Sequence, residues 1–141
     1  MTVDEIAKMM DVSAVQAQST REDIDACCEL AAEYGCAAVF CLPAHVPYLR
    51  ARLDALGLKV PMASVSGFPG GAETPCTKAR TARELVGYGC DEVDMVNNIA
   101  WLKAGEKSAY VDDVAGVVEA AGGRLSLLLA PSSTLCLLLC S

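Results

Sequence analysis

The chain reads as a parallel α/β fold assembled from repeated βα units, and three observations predict it. Short apolar runs alternate with longer amphipathic ones. Each short run is followed by one helical stretch, at a spacing of roughly 30 residues, the length of a βα unit. An internal echo, "YGCAAV" at 34–39 and "YGCDEV" at 88–93, recurs at the same helix-to-strand turn two units apart. Right-handed crossovers then lay the strands parallel, in a doubly wound sheet or a closed barrel, and periodicity alone does not choose between them.

Taken in order, the strand candidates are residues 8–14, 36–42, 60–68, 92–98 and 125–130, with helices at 21–34, 45–56, 75–88 and 108–121. Ser19 with Glu22 fits a capping box for the first of these helices, whose first turn is acidic. Gly35, Gly57, Gly89 and Gly122 follow the helices and can supply a left-handed stop. Parity favours the barrel. On the fourth strand Glu92, Asp94, Val96 and Asn98 share one face, and Val93, Met95 and Asn97 the other. An open sheet covered on both sides should be apolar on both. A face with two carboxylates fits better inside a barrel whose upper layer is a reaction chamber, although Asn97 on the other face does not fit that picture.

With 141 residues, 53% hydrophobic and 21% charged, the chain is one folded domain or part of one. A net charge of −7 with scattered basic residues argues against nucleic acid or an anionic membrane as partner. A small anionic substrate stays open, because a local site can oppose the global charge. The start, "MTVDEIAKMMDVS", has no basic stretch followed by an apolar run, so a cytoplasmic location is expected. The cysteines, at 27, 28, 36, 41, 76, 90, 136 and 140, form no C-x-x-C pair, and there is a single histidine. Buried reduced thiols are expected, and no metal or other cofactor.

Chemistry in parallel α/β folds gathers at the carboxyl ends of the strands. Three stretches are expected there: "MDVS" (10–13) closing the first strand, "SGFPGGAET" (66–74) after the third, and 94–98 ending the fourth. The glycine-rich stretch is neither a Walker loop nor G-x-G-x-x-G, so it reads as a tight turn or a weak phosphate motif. Asp94 is either a structural carboxylate bonded to polar neighbours or one whose enclosure tunes it to pass protons to a bound carbonyl. His45 reads as surface or capping, and Trp101 as loop packing.

Together these stretches resemble the deoxyribose-phosphate aldolase family. The similarity runs from "IAKMMDVS" through "STREDIDACCELAAEYGCAAVFCLPAHVPYL". It is strongest in "VSGFPGGAET", which looks like the family's G-F-P-x-G-A loop, and in "GCDEVDMVNNIAWLKAGE", which is similar to its D-E-[IV]-D-M-V-x-N-[IV]-x-x-L-K-[SA]-G segment. The resemblance implies a (β/α)8 barrel, of which this chain would form the first four to five units. It also implies metal-free, reversible cleavage of 2-deoxy-D-ribose 5-phosphate to acetaldehyde and D-glyceraldehyde 3-phosphate through a lysine Schiff base, in deoxyribonucleotide breakdown. Asp94 would relay protons around the carbinolamine and imine, and Asp11, ending the first strand, would match a family Asp in the same chamber whose part in catalysis the resemblance does not fix. The substrate-binding residues are not identified. "DVS" stands where many members have D-H-T, Phe40 where many have Cys, and Gly70 where an apolar residue is common, which leaves the accepted aldehyde open.

The family's imine-forming lysine lies in a V-K-T-[SG]-T-G strand that is not found here. Lys8 and Lys59 are expected to open strands, Lys78 to lie in a helix, and Lys103 and Lys107 in a loop. Ser126 stands where the family usually has lysine, and "LSLLLAPSSTLCLLLCS" drifts into a charge-free tail. The expected division is therefore a partial barrel over 1–124 and an aberrant apolar tail over 125–141, frameshifted or truncated, and too short and interrupted to span a membrane. The chain alone is expected to be inactive. The alternative is a non-catalytic half-barrel that works as an assembly module, its open edges offering a route to a homo-oligomer.

Overall fold

The structure, a computed structural model, describes residues 1–128. It opens with a short helix, α1 (Val3–Ala7), where a strand was expected from residue 8. Thr2 and Glu5 form a reciprocal capping box, and Lys8 closes the helix. Strand β1 therefore spans only Asp11–Ala14, and Asp11 opens it instead of ending it.

The helices then alternate with the strands. Helix α2 (Arg21–Tyr34) leads to β2 (Ala38–Cys41), and a 3-10 turn at Pro43–His45 runs into α3 (Val46–Leu56). Next come β3 (Met62–Ser66), α4 (Pro75–Gly87) and β4 (Glu92–Val96). Helices α5 (Ile99–Ala104) and α6 (Lys107–Ala121) precede β5 (Leu125–Leu128). The capping box of α2 lies one residue later than expected. Thr20 is extended and pairs reciprocally with Asp23, while the Ser19 hydroxyl accepts from the Gln16 amide. Helix α5 was expected as loop. Asn98 caps it by accepting from Trp101 N–H at 3.2 Å, so β4 stops at Val96 and Lys103 is helical. Lys107 begins α6.

All five strands are parallel and lie in sequential order. A doubly wound sheet would reverse direction partway, placing helices on both faces. Here α2, α3, α4 and α6 all pack on one face. Val39, Cys41, Met62, Val93 and Met95 pack against Ile24, Leu49, Leu53, Leu85 and Val117 of the helices. The opposite face gathers Ala38, Phe40, Ala63 and Val65, flanked by Val15, Leu42 and Phe68. Alternation along each strand sends one set outward to the helices and the other inward to the concave side. The first four residues expected in the tail form β5 and extend the sheet. Residues 129–141 lie outside the described residues.

Candidate active site

Asp94 is the third residue of β4, and its parity is that of the concave face. Its neighbours along the strand, Val93 and Met95, belong to the helix-side core. Its Cα partners are Val65 on β3 and Ser126 on β5, and it is 9% exposed. The carboxylate thus occupies the inner surface beside a small apolar patch.

Above it, at the carboxyl edge, the turn from Gly67 to Gly71 closes on itself. Gly71 N–H donates to Gly67 O at 2.7 Å, and the Phe68–Pro69 peptide is cis. Glycine is required at both ends. A Cβ on Gly71 (φ +68°) would fall 1.9 Å from Asn97 O, and one on Gly67 (φ +75°) 3.2 Å from Val96 O. The same Cβ on Gly71 would lie 3.0 Å from Val96 Cγ1. The turn is therefore moulded over Val96, two residues beyond Asp94 on the same face.

Asp11 and Ser13 share the concave parity on β1, since Val12 and Ala14 join the helix side. Asp11 is not beside Asp94, however. It opens an edge strand, is exposed, and has β2 and β3 between it and β4. Partial burial raises its carboxyl above the ordinary range. The expectation that Asp11 ends the first strand fails: the strand stops at Ala14 as expected but begins only at Asp11, after the turn that follows α1. His45 precedes α3 with no side-chain capping bond.

None of the five lysines lies on a concave strand face among the described residues. Lys8 caps α1, Lys59 precedes β3, Lys103 and Lys107 lie on α5 and α6, and Lys78 on α4. Lys78 was expected only as a helix residue, yet it is fully buried, its Nζ 2.7 Å from Asp113 Oδ2 on α6. The sequence held a signal for this. Lys78, Ala82 and Leu85 share the buried stripe of α4, and Asp113, Val117 and Ala121 that of α6, so a charge stands on each apolar face. Asn97, which fitted no expected pattern, is also explained. It faces the helices, and its Nδ2 donates to Tyr110 Oη of α6 at 3.1 Å.

Among the described residues no three His, Cys, Asp or Glu side chains converge as metal ligands, and no helix is long and apolar enough to cross a membrane. Two surface hollows lie away from Asp94. One, of about 300 Å³, is lined by Val3, Ile6, Met10, Val12, Leu30 and Tyr34, and another, of about 460 Å³, runs along Tyr110, Val111, Val114 and Val118 of α6. Both are apolar faces of the helix layer with no chemistry-bearing cluster.

No family model matches the chain. It is 41% identical over 121 residues to a deoxyribose-phosphate aldolase of Klebsiella pneumoniae, a match covering 85% of this chain and 49% of the relative. It is 38% identical over 128 residues to that of Methanothermobacter thermautotrophicus, covering 91% and 56%. Among solved structures, one provisionally named as a deoxyribose-phosphate aldolase from Coccidioides immitis superposes with a TM-score of 0.85 at 30% identity, over 92% of this chain and 51% of the other. The deoxyribose-phosphate aldolase of Aeropyrum pernix, described as a tetramer, shares the fold with a TM-score of 0.79, over 91% and 53%. The sequential sheet with helices on one side is thus part of a (β/α)8 barrel. The chain spans about half the length of the curated relatives it matches, and over that half it belongs with the deoxyribose-phosphate aldolases.

Proposed function

We propose that this chain forms the Asp94-bearing part of a class I aldolase that reversibly cleaves 2-deoxy-D-ribose 5-phosphate to acetaldehyde and D-glyceraldehyde 3-phosphate. The carrying observation is the placement of Asp94. A buried carboxylate on the concave face, beside Val65 and below the Gly67–Gly71 turn, can hand protons to a carbonyl carbon's oxygen or nitrogen substituent while bulk water is kept away. Asp11, on the same face but at an exposed edge, is assigned a secondary, electrostatic role. The amine that attacks the aldehyde needs a lysine held partly uncharged near the strand ends. Lys78, the one buried lysine among the described residues, is tied to Asp113 on the helix side of the sheet, away from the concave face. The 141 residues alone are therefore expected to form no imine. The substrate is a small phosphosugar, the expected compartment the cytoplasm.

Two measurements test this. Borohydride reduction of the chain with acetaldehyde, read by intact mass, should leave the mass unchanged; a stoichiometric adduct on any lysine would overturn the inactivity. A chimera with residues 1–124 in place of the matching segment of the Klebsiella relative should cleave deoxyribose 5-phosphate. In it, Asp94→Asn should lower kcat by about 10²–10⁴-fold, the usual worth of a positioned acid–base group. A folded chimera without cleavage, or one indifferent to Asp94→Asn, sinks the aldolase assignment.

A further inference from the structure

We propose that Lys78, together with Asp113, is a positioning residue for the Gly67–Gly71 turn. The argument starts from where the Lys78 side chain runs. Its root lies one turn into α4, and its Nζ reaches Asp113 on α6 at 2.7 Å, both residues being fully buried. Along the way its Cδ and Cε pass directly under Gly67. A Cβ on that glycine would lie 3.1 Å from Lys78 Cε and 3.2 Å from Lys78 Cδ. The backbone joins in, since the Lys78 carbonyl accepts a hydrogen bond at 3.0 Å from the Ser66 hydroxyl, the last residue of β3. One residue thus touches the end of β3, the start of the turn, and the neighbouring helix.

A buried ion pair is a poor source of net stability, because desolvating two charges offsets most of their attraction. Its better-attested value is registry: two charges fully removed from water tolerate few relative positions of the elements that carry them. Here the elements are α4 and α6, which flank β4 on its helix side. Fixing them fixes the stem of Lys78, and the stem is the floor on which Gly67 rests. The turn has little other freedom, because Gly71 is pressed against Asn97 O on the other side. The turn in turn covers Val96, above Asp94. A salt bridge on the outside of the sheet therefore sets the rim of the inside. Its consequence for catalysis rests on the aldolase reading; the placement of the turn does not.

Amide hydrogen exchange on the full 141-residue chain tests the proposal without any turnover measurement. The Gly71 amide, bonded to Gly67 O, reports the turn, and the Val93 amide, bonded to Arg124 O, reports the sheet. In Lys78→Met/Asp113→Leu, which replaces both charges by apolar groups, Gly71 should exchange about tenfold faster or more while Val93 keeps its rate, because local opening is separable from global unfolding. Asp113→Asn, which keeps the shape but leaves the Lys78 ammonium buried without its carboxylate, lowers global stability and should speed both amides, Gly71 by about threefold more than Val93. An unchanged Gly71 rate in either folded variant overturns the proposal. So does a parallel rise at Gly71 and Val93, or loss of the fold in both variants, since the pair would then hold the whole layer and not the turn. The aldolase reading fails separately, through the chimera, and neither failure implies the other.

Discussion

The two faces of the sheet treat polar groups differently. On the helix side several buried polar side chains are tied across to another element. The Ser64 hydroxyl donates to Cys41 O at 2.7 Å, Ser66 donates to Lys78 O, Asn97 donates to Tyr110, and Lys78 meets Asp113. The concave side is lined by Ala38, Phe40, Ala63 and Val65, small or apolar residues, with Asp94 set beside them. The difference separates two jobs. Cross-links on the outside fix the height of helices against strands, and the inside sets Asp94 among apolar neighbours. A site of this kind can vary its lining without loosening the frame.

The sharpest way to break that comparison is to unbalance the outside. Lys78→Met alone leaves Asp113 as a buried carboxylate without its ammonium. Removing one partner of a buried pair typically costs about 3–5 kcal/mol, so the midpoint of urea unfolding should fall steeply. A change below about 1 kcal/mol, the range of surface pairs, would mean water already reaches the pair. Next in size is Gly71→Ala. The added Cβ meets Asn97 O at 1.9 Å with the backbone at φ +68°, so the turn must shift. A cost of about 2–3 kcal/mol is expected from strain of this class, again read from urea unfolding. Gly70→Ala is the control, since nothing lies within 4 Å of its added Cβ and its cost should be small. Smaller still is Thr20→Ala at the start of α2, which removes the reciprocal cap with Asp23 and should cost about 1 kcal/mol.

Much of the frame was legible in the sequence because the signals are local. The period-two alternation placed Asp94 opposite Val93 and Met95, and four of the five strands were found near their true positions. The first strand begins later than its apolar pattern suggests because Thr2-x-x-Glu5 starts a helix ahead of it, so Asp11 stands at the strand's beginning and not its end. Helix α5 was missed because six residues between a cap and Gly105 give too short a pattern for periodicity to register. The Lys78–Asp113 contact was not legible as a contact. Each charge could be seen on the apolar stripe of its helix, but pairing residues 35 apart depends on how α4 and α6 pack, which is tertiary information.

The last prediction uses the thiols, which also sort by face. Cys28, Cys41 and Cys90 all lie in the helix-side core. Burial pushes Cys41 up to about 12 and Cys28 and Cys90 to about 11, with the nearby carboxylates of Asp25 and Asp91 adding to the latter two. The sign follows from proton counting. Above the ordinary thiol value of 9.0 the unfolded chain releases these protons while the folded chain keeps them, so the unfolded state binds fewer and stability falls with rising pH. The contribution is fully present below pH 9.0 and is lost as the pH climbs towards the folded values of about 11 to 12. Urea midpoints should therefore be level from pH 7 to 8 and drop by pH 10, and Cys41→Ala should flatten that drop. The same shift governs reactivity, because only the thiolate attacks. With iodoacetamide at pH 8 the exposed Cys76 should react ahead of the other described cysteines, and the buried Cys41 far more slowly. If Cys41 were alkylated as fast as Cys76 in the folded chain, the helix-side layer would be open to solvent, and the sealed, cross-linked outside on which the comparison rests would not exist.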